Sequence, residues 1–95
     1  MAVQVKTITV RIEGLVQGVF YRAWTERTAL ALDLEGSVRN RRDGSVEAVF
    51  SGPAAKVDEM VTRCAEGPPE AQVTGVVVMH EGGSVPPGFK VLPTA

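Results

Sequence analysis

The chain has 95 residues, 44% of them apolar and 22% charged, with a formal net charge of −1. That length supports one domain, spanning residues 1–95, that buries about 60–65% of the unfolded surface and has no material for a second core. No apolar run approaches the roughly 20 residues that cross a bilayer, and residues 1–10 lack the basic start and apolar stretch of an export signal, so no membrane partner and a cytoplasmic location are expected. Cys64 is the only cysteine, which excludes an internal disulfide, and His80 the only histidine, which leaves a His-Cys metal cluster or a Ser-His-Asp arrangement without support and reads as a surface or strand-end residue. Cys64 is expected to pack in the core, and no metal or cofactor is expected.

Residues 6–13 alternate, with Ile8, Val10 and Ile12 on one face and Thr7, Thr9 and Arg11 on the other, the period of a half-buried strand. A loop with two glycines follows, Gly14-Leu-Val-Gln-Gly-Val-Phe-Tyr-Arg22. Residues 21–32 then contain good helix formers and no Gly or Pro, with Trp24, Thr28 and Ala31 on a shared face. Residues 36–42 and 45–50 read as strands joined at Asp43-Gly44, a pair that tolerates positive φ, with Val46, Ala48 and Phe50 pointing inward.

Gly52-Pro53 opens a second helix, with Pro at its first position, where a missing N–H costs nothing. Val57, Met60, Val61 and Cys64 make its apolar stripe, and Gly67-Pro68-Pro69 stops it. An apolar strand over 71–80, a Gly- and Pro-rich loop and a short strand from Phe89 to Leu92 complete the chain. The order β-α-β-β-α-β predicts an α+β, ferredoxin-like sandwich: an antiparallel-dominated sheet, two helices on one face and a short fifth edge strand.

Two features carry chemistry. Gly14 and Gly18 permit backbone angles closed to other residues, so the loop reads either as a tight turn or as an anion cradle completed by the following helix N-terminus. Arg22, in the first turn of that helix, offers a planar fork suited to two oxygens of one phosphate. Asn40 is the other feature, a poor strand former that reads on its own either as turn preparation or as a functional amide. Arg39, Arg41 and Arg42 concentrate positive charge nearby, but only five aromatics occur in the chain, too few in the strands for RNA recognition on the sheet, so no nucleic-acid partner is expected.

With these residues in place, the chain resembles the acylphosphatases, which hydrolyse carboxyl-phosphate anhydrides. Gly14 to Arg22 matches that family's Gly-x-Val-Gln-Gly-Val-x-aromatic-Arg loop, and Gly36 to Glu47 matches its Gly-x-Val-Arg-Asn stretch followed by Asp-Gly-x-Val-Glu. The resemblance covers about residues 6–92 and implies Arg22 as the phosphate-binding residue and Asn40 as the residue that positions the attacking water. The backbone N–H groups of Val16, Gln17, Gly18, Val19, Phe20 and Tyr21 would complete the cradle. It further implies an acyl phosphate as substrate, inorganic phosphate as product and competitive inhibitor, and a free-standing monomer without cofactor. A non-catalytic module sensing phosphate or a phosphometabolite would use the same residues. Three positions depart from the family's pattern: Ser37 where an aromatic is usual, and Asp33 and Phe20 where glycine is common. The first bears on packing, and Phe20 implies a narrower or more apolar mouth to the cradle.

Overall fold

Ile8, Val10 and Ile12 are fully buried while Thr7, Thr9 and Arg11 between them are not, so the alternation in the first strand separates an inner from an outer sheet face. The structure, a computed structural model, describes residues 4–95. Its elements run β1 (Val5–Leu15), α1 (Tyr21–Ala31), β2 (Glu35–Asn40), β3 (Val46–Pro53), α2 (Ala54–Glu66), β4 (Gln72–Glu81) and β5 (Phe89–Val91). The strands form one sheet in the order β4-β1-β3-β2-β5. Every pairing is antiparallel except the parallel β2–β5 contact. This is the expected ferredoxin-like sandwich with a short fifth strand at the edge. Ile12, Val38, Val46 and Phe50 from the sheet share one core with Tyr21 and Ala29 of α1 and Val57, Met60 and Cys64 of α2, so both helices cover the same face.

Helix α2 buries the stripe its spacing predicts, but Pro53 does not begin it. Pro53 closes β3 with φ −54 and ψ 132, an extended conformation, and the helix starts at Ala54, whose N–H donates to the Gln4 carbonyl at 2.9 Å. Proline fixes φ alone, and ψ decides on which side of the boundary it falls. Helix α1 departs further from expectation. Its buried line is Tyr21, Thr25 and Ala29, extended by Leu32, while Trp24 and Thr28 are half-buried and Ala31 is exposed. Thr25 tolerates the core because its hydroxyl donates to the Tyr21 carbonyl at 2.8 Å.

Asp33 terminates α1 in the left-handed region, φ 57. The Asp33 N–H reaches the Leu30 carbonyl at 3.1 Å and the Leu34 N–H reaches the Ala29 carbonyl at 2.9 Å, the paired bonds of a Schellman cap. The β2–β3 hairpin is also not the two-residue turn that Asp43-Gly44 suggests. The Arg41 N–H donates to Ser45 O at 2.8 Å and the Gly44 N–H to Arg41 O at 3.1 Å, with Gly44 at φ 96 and Asp43 at negative φ. That is a three-residue loop closed by a glycine bulge. The Asp43 carboxylate accepts from the Ser45 hydroxyl at 2.6 Å and the Ser45 N–H at 2.9 Å, contacts that hold its pKa below the usual 3.8.

The valine-rich strand is present as β4, but it lies at the sheet's edge, with Val77, Val78 and Met79 exposed and register shifts against β1 at Thr9/Val10 and Glu13/Gly14. Such irregularities blunt an edge against further pairing. Gly14 belongs to this pairing rather than to the loop: a Cβ there would stand 2.1 Å from the Gln72 carbonyl oxygen. On the other edge, Ser37 borders a cavity of about 230 Å³ with Val85, Pro86 and Leu92. Phe50 and Phe89 stack at 5.9 Å between ring centres and pin β5 to the core.

Candidate active site

The segment between β1 and α1 is Val16 to Phe20, shorter than the sequence pattern suggests because β1 continues through Leu15. Val16 is buried and Val19 packs against the core, which fixes the segment from below. Gly18 turns it at φ 75, where a Cβ would meet nothing within 4 Å, so the backbone angle alone requires glycine there. Phe20 is the last residue before the helix and holds φ 64, ψ 24. No side chain caps α1, and its first intrahelical donor is the Trp24 N–H, 3.0 Å from the Phe20 carbonyl. The N–H groups of Tyr21, Arg22 and Ala23 therefore have no acceptor within the helix.

Those three residues line a cavity of about 430 Å³, together with Val16, Gly18 and Phe20 from the loop and Glu26 one turn further along α1. Gln17 and Val19, also expected in the cradle, do not line it. Arg22 is half-buried and takes part in none of the ion pairs formed among the described residues. It lies in the first turn of α1, the positive end of the helix dipole.

Asn40 reaches the same cavity from β2. Val38 faces the core, and the two-residue period puts Asn40 on that face at the strand end. Its backbone is held on both sides: it pairs with Val46 of β3, and its carbonyl accepts the Ala95 N–H at 3.0 Å. The Arg42 N–H returns to Ala95 O, also at 3.0 Å, so the C-terminal segment extends the β5 edge alongside Asn40. The Asn40 Oδ1 is buried and accepts no hydrogen bond from the described residues. A buried amide oxygen left unpaired costs about 1–3 kcal/mol, so the fold leaves this acceptor open to a partner other than the described residues.

Gln17 joins the two halves. Its side-chain amide donates to Arg41 O at 2.7 Å and Ser45 O at 2.8 Å, fastening the loop to the hairpin that follows Asn40. The local signal for this was weak, since a glutamine in a glycine turn reads as a solvated side chain. Tyr21 fixes the helix start by donating its hydroxyl to Cys64 O at 2.6 Å. Burial raises the Tyr21 pKa and pushes the Cys64 thiol up to about 12, so both stay neutral packing groups. Arg39 and Arg41 stand 3.9 and 3.8 Å from the Glu47 carboxylate, and neither lines the cavity. Val91, from β5, completes the lining, a contribution no local pattern foretells. No group of three or more potential ligands that could hold a metal occurs among the described residues.

A ferredoxin-like α+β sandwich whose strand-helix junction opens into a cavity with one unpaired arginine and uncapped amides defines a class of small domains suited to a compact oxyanion. The acylphosphatase family model matches residues 8–91, and the chain belongs to that family. It is 51% identical over 89 residues to an acylphosphatase of Rhodospirillum rubrum, covering 94% of this chain and 98% of that one. An acylphosphatase of Rhizorhabdus wittichii is 49% identical over 85 residues, covering 90% of this chain and 86% of the relative. The structure of an acylphosphatase from Coxiella burnetii superposes with a TM-score of 0.88 at 34% identity, covering 93% of each chain.

Proposed function

We propose that the cavity between α1 and β2 is where an acyl phosphate is hydrolysed to a carboxylate and inorganic phosphate, with Arg22 and the loop and helix amides holding the phosphoryl group and Asn40 holding the water. The observation that carries this reading is that Asn40, whose Oδ1 accepts no hydrogen bond from the described residues, lines the same cavity as Arg22. Turned toward the cavity, the Asn40 amide oxygen takes one proton of a water and leaves a lone pair of the water oxygen free to point at phosphorus.

The reaction asks little else of the protein. Water oxygen bonds to phosphorus as the bond from phosphorus to the acyl oxygen breaks, the carboxylate leaves with the bonding electrons, and a phosphate oxygen accepts the water's proton. A carboxylate is a good leaving group and needs no acid to assist it, so positioning and charge stabilisation supply the rate. Arg22 offsets charge on the equatorial oxygens, and the N–H groups of residues such as Gly18, Tyr21 and Ala23 add donors without reorganisation. No metal or cofactor enters. Inorganic phosphate, as product, occupies the same cradle and competes with substrate. The protein acts as a cytoplasmic monomer on a small molecule, and no helix among the described residues is long and apolar enough to cross a membrane.

Benzoyl phosphate hydrolysis with and without EDTA, followed with inhibition by inorganic phosphate, tests the reading. Asn40→Ala should lower kcat by about 100-fold or more while phosphate inhibition changes little, because it loses a contact to water rather than to the anion. Arg22→Lys should weaken phosphate inhibition, since an ammonium cannot reproduce the bidentate fork. Phosphate binding without turnover in the unaltered protein would instead mark a sensor.

A further inference from the structure

We infer that Phe20, Ala23 and Val91 form an apolar wall that receives the acyl part of the substrate, so that this protein prefers uncharged acyl phosphates with a bulky, above all aromatic, acyl group. The inference rests on the acyl phosphate reading and adds the substrate class to it. Once Arg22, Asn40 and the amides are assigned to phosphate and water, and with Val16 and Tyr21 buried in the core, the remaining side chains free to meet a ligand in the cavity are Phe20, Ala23, Val91 and Glu26. Three are apolar and the fourth is the sole carboxylate of the lining.

Phe20 is the decisive member. Its side chain does not serve the fold: it is 75% exposed and does not pack against the core cluster. Its backbone sits at φ 64, where a bulky L-residue is strained and glycine is not. A strained residue at the cavity mouth that presents a whole aromatic face to solvent has its favourable contact outside the free protein. An aryl group bound beside the phosphoryl cradle gains that face by stacking or edge contact. Val91, 42% exposed, and Ala23, also exposed, add apolar surface from β5 and α1. Glu26 sets the charge preference, because its carboxylate opposes a second anionic group on the acyl chain at short range.

The experiment is the ratio of kcat/KM for benzoyl phosphate to that for acetyl phosphate, measured in the unaltered protein and in Phe20→Gly. Glycine suits the left-handed backbone, so the variant is expected to fold, and any change in the cradle that affects both substrates cancels in the ratio. The ratio should fall by about five- to tenfold in the variant, the size of a lost aromatic contact. A ratio within about twofold of the unaltered protein, with both substrates hydrolysed, would overturn the inference and leave the acyl phosphate reading standing. Hydrolysis of neither substrate by the unaltered protein would overturn both.

Discussion

Asp33 holds φ at 57 to make the Schellman cap of α1, and a side chain in that region is tolerated by Asp far better than by most residues but less well than by none. Asp33→Gly should therefore stabilise the protein by up to about 1 kcal/mol, the backbone relief being partly offset by the greater freedom glycine gives the unfolded chain. For a domain of this size that is an increase in Tm of about 4–8 °C at most, readable by calorimetry, and a lowered Tm would show that Asp33 contributes a contact the cap geometry does not reveal. Among the described residues, Phe20 and Asp33 are the only non-glycines at positive φ. Both stand where the resemblance led one to expect glycine, so the strained positions were legible, although their angles were not. The roles of Gly14 and Gly18 could not be separated in the same way. Gly14 is required both by its φ of 122 and by the nearby Gln72 carbonyl, Gly18 by its φ alone, and spacing does not distinguish a crowded glycine from one that is only bent.

At the scale of elements, the site depends on β2 keeping its place against the loop before α1, and Gln17 is the side chain that spans them. Gln17→Ala removes two donors from carbonyls at the hairpin base and should cost about 1–3 kcal/mol in urea unfolding, with kcat lowered more than phosphate affinity because Asn40 loses its fixed distance to the cradle. Gln17→Glu should be worse, since a carboxylate would face the same two carbonyl oxygens without a proton to donate. Equal stability of Gln17→Ala and the unaltered protein would remove this bridge from the account. The strands β1 and β3 and helix α2 were legible because each buries a single regular face. Helix α1 was not, because its buried line contains Thr25, polar in composition and satisfied only by the local Tyr21 carbonyl. The hairpin turn was misjudged by one residue because Gly44 alone takes positive φ and Asp43 spends its carboxylate on Ser45. The motifs single out Arg22 and Asn40, and both line the one cavity, whereas Glu26 and Val91 reach it only through helix pitch and the parallel β2–β5 pairing.

For the molecule as a whole, site and stability meet at the contact between the helices, where the Tyr21 hydroxyl of α1 bonds Cys64 O of α2 and both side chains lie in the one core. That placement makes the fold sensitive to alkali. Burial raises the Cys64 thiol from its ordinary 9.0 to about 12, so between pH 9 and 12 the unfolded chain releases this proton and the folded chain keeps it. The unfolded state then binds fewer protons than the native state, and stability falls as pH rises, by about 1.4 kcal/mol per unit of pH at the full slope. Tyr21, also raised by burial, adds the same sign above its ordinary 10.0. Urea unfolding at pH 7.5, 9.5 and 10.5 should therefore show a steepening loss of stability, while Cys64→Ala, weaker at pH 7.5 through the cavity it leaves, should lose less on going to alkaline pH. Parallel pH curves for the two proteins would mean that the thiol is not the group that titrates. Because the same contact anchors the first turn of α1, the unaltered protein should lose its cradle in the same alkaline transition that unfolds it, so activity and tertiary structure should fall together on that limb.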